Sequence, residues 1–68
     1  MNANQCKMAR AALKLEVWEL ADAADVSTST IVGLERGEAL LSRTFAAVRA
    51  AVEAKGVKFT GDGGVKLA

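Results

Sequence analysis

The sequence predicts a small domain of the all-α class that ends in a short β-strand or hairpin. Apolar residues recur at intervals of three and four in four successive segments, which is the period of amphipathic helices. The chain contains no proline, and its hydrophobic fraction of 51% includes only 4% aromatic residues, so alanine supplies much of the apolar content. From residue 57 onward the period changes to two, which is the period of a strand.

Length and composition exclude several classes of protein. A chain of 68 residues forms one small domain, and such a domain buries only about 60% of its unfolded surface. Disulfides, metals or a partner subunit usually supplement so small a core. Cys6 is the single cysteine and histidine is absent, so an internal disulfide and the common zinc patterns are excluded. We therefore expect no metal and no cofactor, and we expect an oligomer.

The same counts indicate a cytoplasmic chain. A single cysteine fits a reducing compartment better than a secreted one. No apolar run reaches the ~20 residues of a membrane span, and the residues before Met8 contain no apolar signal core. We expect no membrane partner.

Two helices are predicted in the first part of the chain. The first runs from about Asn4 to Lys14, and its inner face is expected to contain Cys6, Ala9, Ala12 and Leu13. The second runs from about Glu16 to Ala24, and its apolar stripe is expected to contain Val17, Leu20, Ala21 and Ala24. Trp18 lies off that stripe.

The third helix is predicted from Thr28 to Arg36. Ser27 suits its N-cap, because the hydroxyl can accept a hydrogen bond from a free N–H of the first turn. Ile31 and Leu34 are expected to point inward. Gly37 follows at the position that a helix C-cap favours.

The fourth helix is predicted from Ser42 or Arg43 to about Lys55, where Gly56 ends it. Its apolar stripe is expected to contain Leu41, Phe45, Val48 and Val52. Alternation over 57–60 and 65–67, separated by a glycine-rich turn over 61–64, predicts a hairpin.

The tail over 57–68 is the best candidate for a dimerisation element. Its apolar residues are expected either to cover the fourth helix or to pair with a strand of a second chain: Val57, Phe59, Val65 and Leu67. An exposed edge strand invites pairing between chains. The sequence leaves open whether the tail pairs within one chain or between two.

The net charge of +1 conceals an uneven distribution of charges. The first 15 residues carry only basic side chains: Lys7, Arg10 and Lys14. The next ten carry only acidic ones: Glu16, Glu19, Asp22 and Asp25. A total near zero gives no general electrostatic reason to bind nucleic acid. Such binding would depend on where the basic residues lie.

A very short turn joins the second and third helices, which is typical of a helix-turn-helix. The residues over 15–27 and 30–38 resemble the Cro/cI-type (XRE) helix-turn-helix family of phage and bacterial transcriptional regulators. The matching elements are Leu20-Ala21, Ala24, Val26-Ser27, Ile31 and Leu34-Glu35-Arg36-Gly37-Glu38. The resemblance extends over roughly residues 5–68, because the segments over 44–48 and 56–59 also look like a short bacterial subgroup.

The resemblance implies a DNA-binding domain over 1–56, built as a compact four- to five-helix bundle of the lambda-repressor type. Its partner would be double-stranded DNA, bound by a dimer whose third helices enter the major groove. By their positions, Thr28, Ser29 and Gly33 are expected to contact base edges. They lie on the third helix, which begins after its N-cap Ser27. Val17 matches a position that usually holds Gln, and four residues match positions near the sugar-phosphate backbone: Arg10, Thr30, Arg36 and Arg43.

Several residues depart from the family pattern. Glu16 replaces the usual serine cap, and Asp25 replaces the turn glycine, although Asp tolerates the left-handed conformation. The third helix opens with short hydroxyl side chains, whereas the strong base readers are Arg, Lys, Asn and Gln. Specificity would then depend on DNA shape and on half-site spacing.

These departures support a second hypothesis, a helix-turn-helix adaptor or co-regulator that works through protein contact. Trp18 would be its anchor, because interfaces favour Trp. Trp18 could also lie in the core or at the flank of the DNA. No enzyme is expected, because the chain has no nucleophile–base pair and no metal set, and the acids of the second helix are expected to form a solvated face.

Overall fold

The computed structural model describes residues 1–68 and confirms the predicted combination of helices and a hairpin. Four helices follow one another, α1 (Ala3–Ala12), α2 (Val17–Ala24), α3 (Thr28–Glu35) and α4 (Ser42–Ala54). Two strands complete the chain, β1 (Val57–Phe59) and β2 (Val65–Leu67), and they pair antiparallel. No fifth helix forms. None of the helices is long and apolar enough to cross a lipid bilayer.

The first helix begins with a capping box that the sequence interpretation missed. The Asn2 side chain accepts a hydrogen bond from the Gln5 N–H at 2.8 Å, and Gln5 Oε1 accepts one from the Asn2 N–H at 3.0 Å. The face of α1 that packs on α3 and β2 consists of Gln5, Cys6 and Ala9. The prediction for Ala12 was wrong, because α1 ends there and the residue is exposed.

The first three helices end in the same backbone motif, in which an N–H bonds back to a carbonyl five residues earlier. These bonds join Leu15 to Arg10 at 2.9 Å, Val26 to Ala21 at 2.9 Å and Glu38 to Gly33 at 3.0 Å. This Schellman motif needs a left-handed residue just past the helix. The residues in that conformation are Lys14 (φ 57°), Asp25 (φ 57°) and Gly37 (φ 89°). The expectation that Asp25 adopts the left-handed turn conformation is therefore confirmed.

The core lies where α2 packs on α3 and α4, and α1 and the hairpin close it. Its buried apolar residues are Cys6, Ala9, Leu20, Ala21, Ala24, Ile31, Leu34, Val48, Val52 and Val57. The predicted stripes of α2 and α3 are therefore confirmed, except that Val17 is only partly buried. Leu41 was wrongly predicted to lie on the stripe of α4, because it precedes the helix as its N-cap and is 65% exposed.

The hairpin pairs within one chain and is attached to α1 by a buried amide. Val57 lies opposite Leu67, and Phe59 lies opposite Val65. Gln5 Nε2 donates to the carbonyl oxygens of Thr60 at 3.3 Å and Gly64 at 3.0 Å, one at each end of the turn. Because a buried amide must find protein partners in place of water, these bonds hold the hairpin against α1. A two-stranded hairpin of this size needs such support.

Candidate nucleic-acid interface

The first turn of α3 presents hydroxyl groups to solvent. Ser27 Oγ accepts a hydrogen bond from the Thr30 N–H at 3.2 Å and lies 2.9 Å from Thr30 Oγ1, which confirms Ser27 as the N-cap. Thr28 and Ser29 are exposed, and their side chains make no hydrogen bond within the chain. Ser27 and Thr30 therefore serve the helix, whereas Thr28 and Ser29 are free to contact a ligand.

A shallow, open depression of about 310 Å³ lies on this face of the molecule. Its lining residues are Thr28, Ser29, Val32, Gly33, Arg36 and Glu38. Four of them were predicted from the sequence to contact DNA: Thr28, Ser29, Gly33 and Arg36. The missing side chain of Gly33 helps to make the depression. The other predicted contact residues lie outside it: Arg10, Val17, Ser27, Thr30 and Arg43.

Glu38 lies over Gly33, a placement that the sequence interpretation missed. A Cβ atom added to Gly33 would stand 2.8 Å from Glu38 Oε1 and 3.4 Å from Glu38 Cδ. The Schellman bond from the Glu38 N–H to the Gly33 carbonyl brings the two residues together. Gly37 was the available signal, because this motif returns the residue after the glycine to the last turn of the helix.

The two charged groups of the depression are weakly paired with each other. Arg36 Nη1 lies 3.6 Å from Glu38 Oε2, and their side chains are 69% and 59% exposed. Ion pairs this exposed contribute about 0–1 kcal/mol, so both side chains can turn to a ligand at little cost. Arg43 is exposed as the second residue of α4 and forms no ion pair within the chain.

Arg10 is only partly exposed, and its guanidinium is engaged within the chain, which argues against its predicted role as a phosphate contact. Its Nε lies 2.9 Å from Glu35 Oε2, its Nη2 donates to Glu35 Oε1 at 3.0 Å, and its Nη1 donates to the Leu15 carbonyl at 3.2 Å. The hydrogen bonds to Glu35 raise the pKa of Arg10. Because three of its donor atoms are already committed, we assign Arg10 to the fold.

Cys6 also contacts Glu35, and its thiol is expected to be unreactive. Its thiol is fully buried and donates to Glu35 Oε2 at 3.6 Å. Burial, followed by the neighbouring charge of Glu35, raises the pKa of the thiol from 9.0 to about 12. A thiol held in its protonated form is a poor nucleophile.

The second helix contributes an exposed aromatic side chain. Trp18 is 63% exposed, which agrees with its position off the apolar stripe. Asp22 and Asp25 nearby in sequence are exposed as well. Val17 is half-buried and packs against the core at the start of α2, so it presents little side chain to a groove.

The residues predicted for dimerisation separate into three environments. Val57 is 1% exposed and belongs to the core, which agrees with the alternative that the tail covers the fourth helix and argues against Val57 as a dimer contact. Phe59 and Val65 are partly buried against the core, and the Arg49 guanidinium lies 5.6 Å from the centre of the Phe59 ring. Leu67 is 61% exposed and is the most exposed of the four.

No known family model matches the chain, and no curated protein matches it in a sequence search.

Proposed function

We propose that the chain is a sequence-specific, double-stranded DNA-binding transcriptional regulator of phage or bacterial type that acts as a homodimer. In this proposal α2, the turn over 25–27 and α3 form the helix-turn-helix, and α3 enters the major groove. The observation that carries the proposal is the exposed depression on α3. It gathers on one face Thr28, Ser29, Gly33 and Arg36, four of the nine residues that were predicted to contact DNA.

The chemistry of this face suits a close approach to base edges. A major groove about 12 Å wide admits one helix, and the short side chains of Thr28 and Ser29 allow the α3 backbone to come near the bases. Their hydroxyls can donate or accept, and the Thr28 methyl group can pack on a thymine methyl. Such contacts discriminate weakly, so shape and half-site spacing would supply much of the specificity.

Phosphate contacts in this proposal come from the arginines that the fold leaves exposed. Arg36 has only its weak pair with Glu38 at 3.6 Å, and Arg43 has no carboxylate partner. Arginine binds phosphate well because its planar group can donate two parallel hydrogen bonds. Because only these two arginines are proposed to contact phosphates and the net charge is only +1, the affinity for DNA should depend only weakly on salt concentration.

The dimer in this proposal uses the free edge of the hairpin. The sheet has only two strands, so each strand has one edge without a partner. Leu67 is exposed on β2 and could pack on its counterpart in a second chain. Pairing of such edges across a two-fold axis would bury both.

Selection from randomised duplexes by the purified chain tests the proposal. We expect a motif of paired half-sites to be enriched. Arg36→Gln should weaken binding to the enriched duplex severalfold and reduce the salt slope by about one phosphate contact. Lys55→Gln is the control, because it removes the same charge from an exposed position at the end of α4. Absence of enrichment of any duplex would contradict the proposal.

A second candidate function, an adaptor that binds another protein, is favoured by one observation. Trp18 is the only aromatic side chain fully at the surface, at 63% exposure. Trp is enriched among the residues that dominate binding energy at protein interfaces. Under this alternative, Trp18→Ala should abolish partner capture without lowering the melting temperature. Retention of the partner by that variant would remove the main support for an adaptor.

A further inference from the structure

The depression on α3 contains one charged side chain that neither the sequence interpretation nor the proposed function assigns. Glu38 extends back from the loop so that its Oε1 would lie only 2.8 Å from a Cβ atom at Gly33. Glu38 lines the depression together with Thr28 and Ser29. Its carboxylate is therefore on the surface that would meet base edges, although the residue lies outside the helix in sequence.

Two backbone features place the start of the Glu38 side chain beside the face of α3. Gly37 adopts φ 89°, which turns the chain back over the end of the helix. The Glu38 N–H then bonds to the Gly33 carbonyl at 3.0 Å and anchors the base of the side chain. Gly33 leaves open the space that the carboxylate occupies, because any other residue would place a Cβ atom there.

The carboxylate is also available for a new hydrogen-bond donor. Its only charged partner is Arg36, at 3.6 Å in an exposed pair. That distance is too long for a strong hydrogen bond. If Arg36 turns to a phosphate, Glu38 is left with unsatisfied acceptor atoms in the groove.

An ionised carboxylate can only accept hydrogen bonds. In the major groove, guanine presents two acceptors and thymine presents one acceptor beside its methyl group. Adenine presents an acceptor beside its amino donor, and cytosine presents its N4 amino donor. A carboxylate on this face is therefore repelled by guanine and thymine and is best satisfied by cytosine.

We propose that Glu38 is a specificity-determining residue that selects a cytosine in the bound strand and acts through its N4 amino group. The proposal rests on the proposed function, because it assumes that the face of α3 meets the major groove. Ser29 lies one helical turn before Gly33, about 6 Å along the axis. Glu38 and Ser29 would therefore contact neighbouring positions of one half-site.

The test compares duplex selection by the wild-type chain, by Glu38→Gln and by Glu53→Gln. Glu53 is the matched control, because it is an exposed carboxylate in an ion pair at 3.4 Å on α4. We expect the wild type and Glu53→Gln to enrich one half-site position for cytosine. Glu38→Gln should lose that preference and keep the others, because an amide can both donate and accept. Its affinity for the wild-type site should fall about tenfold.

The outcomes separate this inference from the proposed function. Enrichment of the same motif by Glu38→Gln, with equal or uniformly higher affinity, would overturn the inference and leave the DNA-binding proposal standing. Failure of the wild-type chain to enrich any duplex would overturn both. Melting curves of the three chains serve as the folding control, and we expect them to agree because both substituted carboxylates are exposed.

Discussion

Arg10 and Glu35 form a bidentate ion pair that joins the first helix to the end of the third. The Arg10 Nε lies 2.9 Å from Glu35 Oε2, and the Arg10 Nη2 lies 3.0 Å from Glu35 Oε1. The Glu35 side chain is only 10% exposed, and that of Arg10 is 26% exposed. A third bond, from Arg10 to the Leu15 carbonyl at 3.2 Å, adds the turn between α1 and α2. The Arg10 guanidinium therefore connects three segments: α1, the turn between α1 and α2, and the end of α3, the candidate recognition helix.

Glu35→Gln should destabilise the chain by about 2–3 kcal/mol, because it leaves the partly buried Arg10 without a counter-charge. Glu53→Gln removes one partner of an exposed ion pair at 3.4 Å on α4 and should cost no more than about 0.5 kcal/mol. Urea unfolding of both variants measures the difference. Equal losses would show that the Arg10–Glu35 pair contributes no more than a surface pair.

Asp25→Gly should stabilise the chain by about 0.5–1.5 kcal/mol. Asp25 holds φ 57°, where a side chain is strained and glycine is not. It also places a negative charge at the C-terminal end of α2, where the helix dipole disfavours it. Asp25→Asn separates the two causes, because it removes the charge and keeps the Cβ atom. Thermal unfolding of both variants checks the prediction, which a lower melting temperature for Asp25→Gly would refute.

Much of the fold was predictable because it depends on local patterns. The stripes containing Leu20, Ile31 and Val48 follow helical spacing, and such residues are buried as expected. Ser27 and Gly37 marked the two ends of α3 through their capping chemistry. The hairpin followed from alternation around a glycine-rich turn.

The rest depends on pairs of residues that lie far apart in the sequence. In the sequence, Arg10 has the pattern of an exposed surface charge. Its partner Glu35 lies 25 residues later, and only the fold places the Glu35 carboxylate 2.9 Å from the Arg10 Nε. Gln5 bonds to carbonyls 55 and 59 residues away. The alternation of the tail shows which face is apolar, but it does not show whether Val57 faces its own core or a second chain. Within the candidate site, the family resemblance predicted Thr28, Ser29, Gly33 and Arg36. Glu38 was missed, although the glycine before it was a usable local signal.

The placement of Glu38 over Gly33 has a consequence for stability that does not depend on DNA. Gly33→Ala should gain up to about 1 kcal/mol from helix propensity, reduced because the carboxylate at 2.8 Å must move away. In a Glu38→Ala background the same substitution should gain more, by about 0.5 kcal/mol. A double-mutant cycle by urea unfolding measures this coupling. Additivity within about 0.3 kcal/mol would contradict the placement.

The buried thiol predicts a loss of stability in alkali. The native chain keeps the Cys6 proton until the pH approaches its pKa of about 12, whereas an exposed thiol loses its proton near 9.0. Unfolding therefore releases a proton between these values, and the free energy of unfolding should fall as the pH rises through that window, by up to about 1.4 kcal/mol per unit. The comparison is with Cys6→Ala, which lacks this contribution. Parallel pH dependence of the two chains would refute the prediction.

The central claim is that the exposed face of α3 binds duplex DNA, and an NMR titration tests it most directly. Amide spectra of the chain are recorded with increasing amounts of the duplex enriched by selection, and with a scrambled duplex as the control. We predict that the largest specific changes fall on the six residues that line the depression: Thr28, Ser29, Val32, Gly33, Arg36 and Glu38. Changes confined to α2 around Trp18, or no change in α3 with any duplex, would contradict the claim.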